Sequence, residues 1–425
     1  MSSTSDSPTA VVIDGYGAGN FYPAAFTAAG ARVIHVQSTA ELIPTMLAPN
    51  LSLYAENIVC TDPRALVELL RPYAPVCVVA GQESAVRLAD RISEALGVAS
   101  NGTALSPARR NKYEMIEALR RAGVRCAEQF KSSDPAAVVK WAEEHGTYPV
   151  VVKPISSAAS DGVFICESAD DVRVAAERVL TTKDIFGFAN TEALVQSYLK
   201  GTEYVVDTVS ADGHHYTNAV WQYKKNLLRS GRNIYDMDIL HPQDSAPVPA
   251  LIAYVREVLA ALAVRWGPSH AEVMVTDEGP VLVEIATRLN GNLNAPFQDE
   301  CLGNNQPSLA AQAYVDPEAF IKRYAGGVYR KLKCGIVYNS PNELDGVVES
   351  VDQAAVDEIN ALPSVYLAGL KVAPGSRLRP TTDLLSSSMK IYLLSSSEEE
   401  IQADYEKIRA LKDSVYRLAQ VPDRA

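Results

Sequence analysis

Two glutamates flank a short turn in the segment HAEVMVTDEGPVLVEIATRLNGN, residues 270–292. Apolar and polar residues alternate on both sides of TDEG, the pattern of a two-stranded hairpin. With the turn centred on Glu278, Glu272 lies six residues before it and Glu284 six after, so the two face each other. Directly opposed side chains stand about 4.5–5.5 Å apart at Cβ. Two carboxylates that close repel unless a cation lies between them. Mg2+ meets that need, because it takes carboxylate oxygens and shares its shell with substrate phosphates. The same alternation turns Val273, Val275, Val281 and Val283 toward the opposite, core face. Arg288 follows at the strand end, where it can meet an anion. His270 falls on the Glu272 face, either orienting substrate or serving as a satisfied structural histidine. Taken alone, the hairpin reads more simply as an exposed face with two solvated glutamates.

Two further segments bear on that choice. In YPVVVKPISSAASDGV (148–163), Lys153 ends an apolar strand, where a lysine is costly without an anionic partner. The bland alternative is a lysine snorkelling to solvent. The following SSAASDG, which includes Ser160, has small side chains suited to a loop whose backbone N–H groups close over phosphates. In LVQSYLKGTEYVVDTVS (194–210), exposed backbone groups beside Val195, Tyr198 and Leu199 can hold the edge of a purine. Glu203 can then accept from ribose hydroxyls.

These segments need a scaffold. The opening hundred residues alternate apolar runs (AVVID, ARVIHVQ, NIVCT, PVCVVAG) with helical patterns, which predicts a parallel sheet in a βαβ arrangement. The turn IDGYGAGNFYPAAF resembles a dinucleotide-binding loop but lacks its physical requirements. The sixth position must be Gly or Ala for close helix packing, yet it is Asn20 counted from Gly15 and Tyr22 counted from Gly17. The second strand also ends in Gln37 and Ser38 rather than an acid. The turn is therefore scaffold and a candidate wall of a substrate cleft. SPARRNKYEMIEALRRAGV reads as a helix with a Ser/Pro start. Residues 210–250 read as polar, irregular surface loops, followed by the long apolar helix ALIAYVREVLAALAV. The final hundred residues read as a smaller α+β unit.

Composition narrows the function. The formal net charge of −12 argues against nucleic acid as a partner. The six cysteines carry no CxxC pair, which fits reduced thiols better than disulfides or a thiolate zinc site. There is no basic and apolar leader at the start and no run near the ~18 apolar residues of a membrane span, so a cytoplasmic protein without membrane contact is expected. His214 and His215 form a weak metal candidate, and Lys224 or Arg232 is a candidate for holding a substrate carboxylate. The sequence has no GxxxxGK[ST], GxSxG or HExxH motif, which argues against a P-loop enzyme, an α/β-hydrolase and a zincin.

In this order and at this separation, the three segments resemble the ATP-grasp superfamily over about residues 105 to 300. The resemblance implies a mixed α/β and α+β chain. It would comprise an N-terminal Rossmann-like α/β domain (1–105), an ATP-grasp domain (106–325, with a mobile lid half at about 126–200) and a C-terminal α+β domain (326–425). It implies that Lys112 and Lys153 contact phosphates, that SSAASDG with Ser160 covers them, and that Gln196, Tyr198 and Leu199 form the adenine hinge. Glu203 would hold ribose, Glu272 and Glu284 would bind Mg2+, and Arg288 would hold the transferred phosphate, with Lys153 and His270 beside it in catalysis. Two departures stand out: EIATR places Ala286 where many members have a metal-binding asparagine, leaving a second Mg2+ to water or Asn290, and the covering loop has few glycines. PSHAEV, EIATRLNGN and the C-terminal unit resemble the ligases that join two amino acids, including those of bacterial peptide-antibiotic pathways. The implied activity is an ATP-dependent carboxylate–amine ligase acting through an acyl phosphate and releasing ADP and phosphate. It would use one or two Mg2+ ions, with Mn2+ an acceptable substitute, and act on small-molecule amino-acid substrates; a homodimer is left open. The alternatives within the superfamily are an ATP-dependent carboxylase and a small-molecule phosphotransferase.

Overall fold

The computed structural model describes residues 7–43, 46–155, 162–183, 189–227, 233–382 and 386–419. Near the N-terminus, four parallel strands stand in the spatial order Glu56–Val59, Arg32–Gln37, Thr9–Ile13, Cys77–Ala80. Both faces of the last three are covered, which is why they read as continuous apolar runs, whereas Glu56–Val59 is a largely exposed edge. Val11, Ile13, Ile34 and Val36 pack with helices Pro63–Leu70 and Val86–Leu96. Ala10, Val12 and Val33 pack with helix Tyr22–Ala28 and with Leu309 and Ala313 from helix Gln306–Val315.

The glycine-rich turn is taken up by this sheet's own packing. The Gly15 N–H donates to His35 Nε2 at 3.0 Å, and Asp14 accepts from the Ser38 N–H and hydroxyl. A Cβ on Gly19 would lie 2.7 Å from the Gly81 carbonyl oxygen, and one on Gly81 would collide with the backbone of Asp14 and Gly15. The two turns at the carboxyl ends of neighbouring strands thus touch backbone to backbone. Gly81→Ala is expected to cost about 1–3 kcal/mol of stability, the usual scale of overpacking, seen as a lower urea midpoint at unchanged slope.

A second, antiparallel sheet has the order Gln129–Ser132, Ala193–Ser197, Val150–Pro154, Phe164–Cys166. Val150, Val152, Ala193 and Val195 turn to helices Pro135–His145 and Ala169–Thr181. Period-two alternation sends Val151, Lys153 and Gln196 to the other side.

The largest sheet has eight strands in the order Gly279–Ala286, Gly267–Thr276, Thr202–Ala211, His214–Leu227, Asn233–Leu240, Cys334–Ser340, Met389–Ser395, Val365–Leu370. Three strands from the last hundred residues therefore continue the same sheet. Val206, Val220, Ala271 and Val273 share a core with helices Val248–Ala261 and Lys112–Arg121. The expectation of surface loops over 210–250 is overturned, because most of this stretch is two long paired strands. Their polar side chains hid the strand signal because several of them line a buried face rather than meeting solvent.

One helix boundary also differs from expectation. The helix read from SPARRNKYEM starts at Lys112, not at Ser106–Pro107, because the Asn111 side chain caps it by accepting from the Tyr113 and Glu114 N–H groups. Arg109, just before it, is fully buried and pairs with Asp90 at 3.0 Å while donating to the Leu262 carbonyl. That pair ties the first sheet's last helix to the large sheet's helical layer. All six cysteines are unpaired. Among the described residues no helix is long and apolar enough to cross a membrane.

Candidate active site

A cleft opens between the second sheet and the large sheet. Eight of the residues singled out from the sequence line it: Lys112, Lys153, Gln196, Tyr198, Leu199, Glu203, Glu272 and Glu284. Residues 156–161 of the expected covering loop, Ser160 among them, and Arg232 lie outside the described residues.

The hairpin behaves as expected at its functional end and differently at its turn. Glu272 pairs with Glu284, but Val273 pairs with Leu282 and Thr276 with Gly279. The turn therefore centres between Asp277 and Glu278, and a β-bulge at Val283 restores the register that brings the glutamates together. In consequence Leu282 and Ile285 enter the main core while Val283 lines the cleft, correcting the expected core set. Bulges re-aim side chains in this way beside active sites.

Charge is concentrated at the pair. Lys112, in the first turn of its capped helix, reaches Glu284 at 2.5 Å. Burial alone would raise the Glu284 pKa, but Lys112, Lys153 and Arg288 hold it below the usual carboxylate range. Glu272 is pushed up by burial and by the charge of Glu284. Three cations compensate one carboxylate, whereas its neighbour meets only His270, an arrangement a dication would relieve. Among the described residues no group of three or more His, Cys, Asp or Glu is placed to hold a metal. A dication here would draw the rest of its shell from phosphate and water, as Mg2+ does. Ala286 supplies nothing to such a site. Asn290 is also committed, donating to Asp207 at 3.0 Å and accepting from the Asn292 N–H.

Lys153 is 6% exposed at the strand end. Burial, then the charge of Lys112, lowers its pKa to about 8 against the pull of Glu284, Glu272 and Glu203. A lysine with a depressed folded pKa binds fewer protons than the unfolded chain between about pH 8 and 10.5, so stability rises with pH across that window. Phosphate contact needs the charged form and runs the opposite way. The KM for ATP is expected to climb above pH 8, by up to about tenfold per unit for one proton. Lys153→Arg, which stays charged, should flatten that profile; an unchanged profile would remove Lys153 from the phosphate site.

The opposite wall suits a flat apolar ring. Val163 and Ile165 line the cleft at 42% and 55% exposure, beside the half-open Tyr198. The Gln196 side chain donates to Gln129, which fixes the strand leading to Tyr198. Glu203 is buried and accepts from Lys225 at 2.6 Å and from the Tyr235 hydroxyl at 3.1 Å. Lys225 and Tyr235 lie in the stretch expected to be loops; it is Lys225, not Lys224, that lines the cleft.

His270 and Arg288 stand at the far end of the pair. His270 Nδ1 meets Asp207 at 2.9 Å and its Nε2 approaches Glu272 at 3.5 Å. Burial opposes its charge, yet the bonds to Asp207 and Glu272 prevail and raise its pKa to about 9. Arg288 Nε donates to Glu83 at 2.9 Å, and its guanidinium also donates to the Leu289 carbonyl. Glu83 additionally meets Arg110 at 3.5 Å. Glu83 went unnoticed in the sequence; it sits two residues beyond Gly81, at the carboxyl end of a parallel strand, where α/β sheets place ligands. His215 is bonded to Ser210, and burial lowers its pKa to about 4, a local pairing far from a metal site.

A four-stranded antiparallel sheet and a larger sheet that flank two lysines and two opposed glutamates define the ATP-grasp class, and the chain belongs to that family. The ATP-grasp domain family matches residues 146–295. The whole chain is 34% identical to dapdiamide A synthase of Enterobacter agglomerans, with 100% of both chains covered. It is 24% identical to phosphoribosylamine–glycine ligase of Streptococcus pyogenes serotype M6, over 65% of each. Among solved structures, the L-amino acid ligase from Bacillus licheniformis superposes with a TM-score of 0.75 at 18% identity, covering 98% of this chain and 100% of that one. An ADP complex of N5-carboxyaminoimidazole synthetase from Staphylococcus aureus gives 0.68 at 14% identity, over 94% and 96%.

Proposed function

We propose that this chain is an ADP-forming ligase that joins the carboxylate of one amino-acid-like substrate to the amine of another through an acyl phosphate. The observation that carries the proposal is the opposed Glu272–Glu284 pair, with Lys112, Lys153 and Arg288 around it, in a chain related end to end to dapdiamide A synthase. Glu272 and Glu284 would hold Mg2+, which would supply charge neutralisation on the phosphates. Lys112 and Lys153 add positive charge along the same phosphates, and such positioning is most of what phosphoryl transfer requires. Tyr198, Leu199 and Glu203 seat the nucleoside. Arg288, oriented by Glu83, stabilises negative charge as the amine adds to the activated carbonyl. Closing the second sheet over the cleft keeps water from the acyl phosphate. Six unpaired cysteines favour a reducing, cytoplasmic setting.

The test is an ADP-release screen over all pairs of proteinogenic amino acids, with products read by mass spectrometry. ADP release accompanied by an amide product is expected. A stable phosphorylated product would make the protein a phosphotransferase, and release dependent on bicarbonate would make it a carboxylase.

A further inference from the structure

Beyond His270 and Asp207, the cleft side of the large sheet carries three polar residues not singled out in the sequence. Asp238 stands opposite Val337, and Asn339 opposite Lys390. Opposed Cβ atoms lie about 4.5–5.5 Å apart and diagonal ones about 7–8 Å, so Asp238, Asn339 and Lys390 form one patch. The segment RLNGN connects it to the reacting centre. Arg288 donates to Glu83, Asn290 to Asp207, and Asn292 to Asp238 at 2.9 Å. Lys390 in turn donates to Asn292 Oδ1 at 2.6 Å. An asparagine amide thus separates a cation and an anion that would otherwise pair.

The patch is chemically unfinished. Asp238 Oδ1 and both amide atoms of Asn339 are buried without a hydrogen-bond partner, in side chains 4% and 0% exposed. Buried polar atoms in folded proteins are nearly always satisfied, so three such atoms in one place call for something that satisfies them. Burial raises the Asp238 pKa to about 7 in spite of Lys390 and Asn292, while His270 and Asp207 lie close enough to act on it. The unmet demand is mixed: Asn339 Nδ2 needs an acceptor, whereas Asn339 Oδ1 and Asp238 Oδ1 need donors. A carboxylate offers acceptors only, and an aliphatic side chain offers neither. A carboxamide offers both.

We infer that Asn339, Lys390, Asn292 and Asp238 form a side-chain subsite for one of the two substrates, which selects an amino acid carrying a carboxamide. This deepens the ligase proposal and rests on it for the substrate's role, but not for its binding. The test is calorimetric titration of the full chain, with Mg2+ and a non-hydrolysable ATP analogue, by L-asparagine, L-glutamine, L-aspartate, L-glutamate and L-leucine. The amide amino acids should bind about tenfold or more tightly than their acid or aliphatic counterparts, as for one or two buried hydrogen bonds. Asn339→Leu and Lys390→Met should each erase that preference while leaving nucleotide affinity unchanged. Asn339→Leu should also raise Tm, because it removes two unsatisfied buried atoms; an asparagine with a purely structural role would lower it. Equal binding of leucine and the amides, binding of none of the five, or a preference that survives Asn339→Leu overturns the subsite. Selective binding with no ADP release for any amine would leave the subsite standing and sink the ligase proposal. ADP release without selectivity would do the reverse.

Discussion

Glu284→Ala should leave a folded protein whose substrate-dependent ADP release falls by about 10³-fold or more. Removing a single preorganised electrostatic group from a reacting centre commonly costs 10²–10³, and Glu284 has two tasks. It anchors Lys112 at 2.5 Å and forms half of the opposed pair. Glu272→Gln gives a paired contrast. Burial and the charge of Glu284 oppose ionisation of Glu272 more strongly than His270 supports it, so a neutral isostere should raise the Tm of the nucleotide-free protein while activity collapses. Stability given up at a functional site is the expected trade. A fully active Glu284→Ala enzyme, or a Glu272→Gln variant less stable than its parent, would contradict the site.

Arg288→Ala should lower kcat by about 10³- to 10⁵-fold, the range seen where an arginine stabilises phosphoryl-transfer charge, with the KM for ATP nearly unchanged. Arg288→Lys should not rescue it. The guanidinium uses Nε toward Glu83 and a second nitrogen toward the Leu289 carbonyl, a fork that a single ammonium cannot reproduce. Glu83→Gln should reduce kcat more mildly, because an amide still accepts a hydrogen bond but no longer pairs with charge. An effect confined to the KM for ATP would place Arg288 on the nucleotide rather than on the reacting centre.

The sequence carried the site where periodicity and chemistry agreed. Four apolar runs gave the parallel sheet, and strict alternation around TDEG opposed Glu272 to Glu284. It did not reveal the bulge at Val283, since a bulge breaks the period without any signature residue. It also misled over residues 210–250. There Lys225 and Tyr235 are polar because they line a cleft and Asp238 because it meets Asn292 on a buried face, and polarity without period reads as loop. Glu83 and Asn339 escaped for a different reason: their importance lies in contacts with distant residues, Glu83 with Arg288, 205 positions away, and Asn339 with Lys390, on another strand. No local pattern encodes such pairings. The opening glycines show the converse, since Gly15, Gly19 and Gly81 look like a ligand loop but serve backbone close approach.

The proposed reaction turns on activation of a substrate carboxylate by phosphate. With a substrate pair found by the ADP-release screen, the acyl donor can be labelled with ¹⁸O in its carboxylate and the released phosphate examined by ³¹P NMR. Attack of the carboxylate on ATP, followed by displacement by the amine, predicts one ¹⁸O in the phosphate for every amide bond formed. Amide formation with unlabelled phosphate would contradict it.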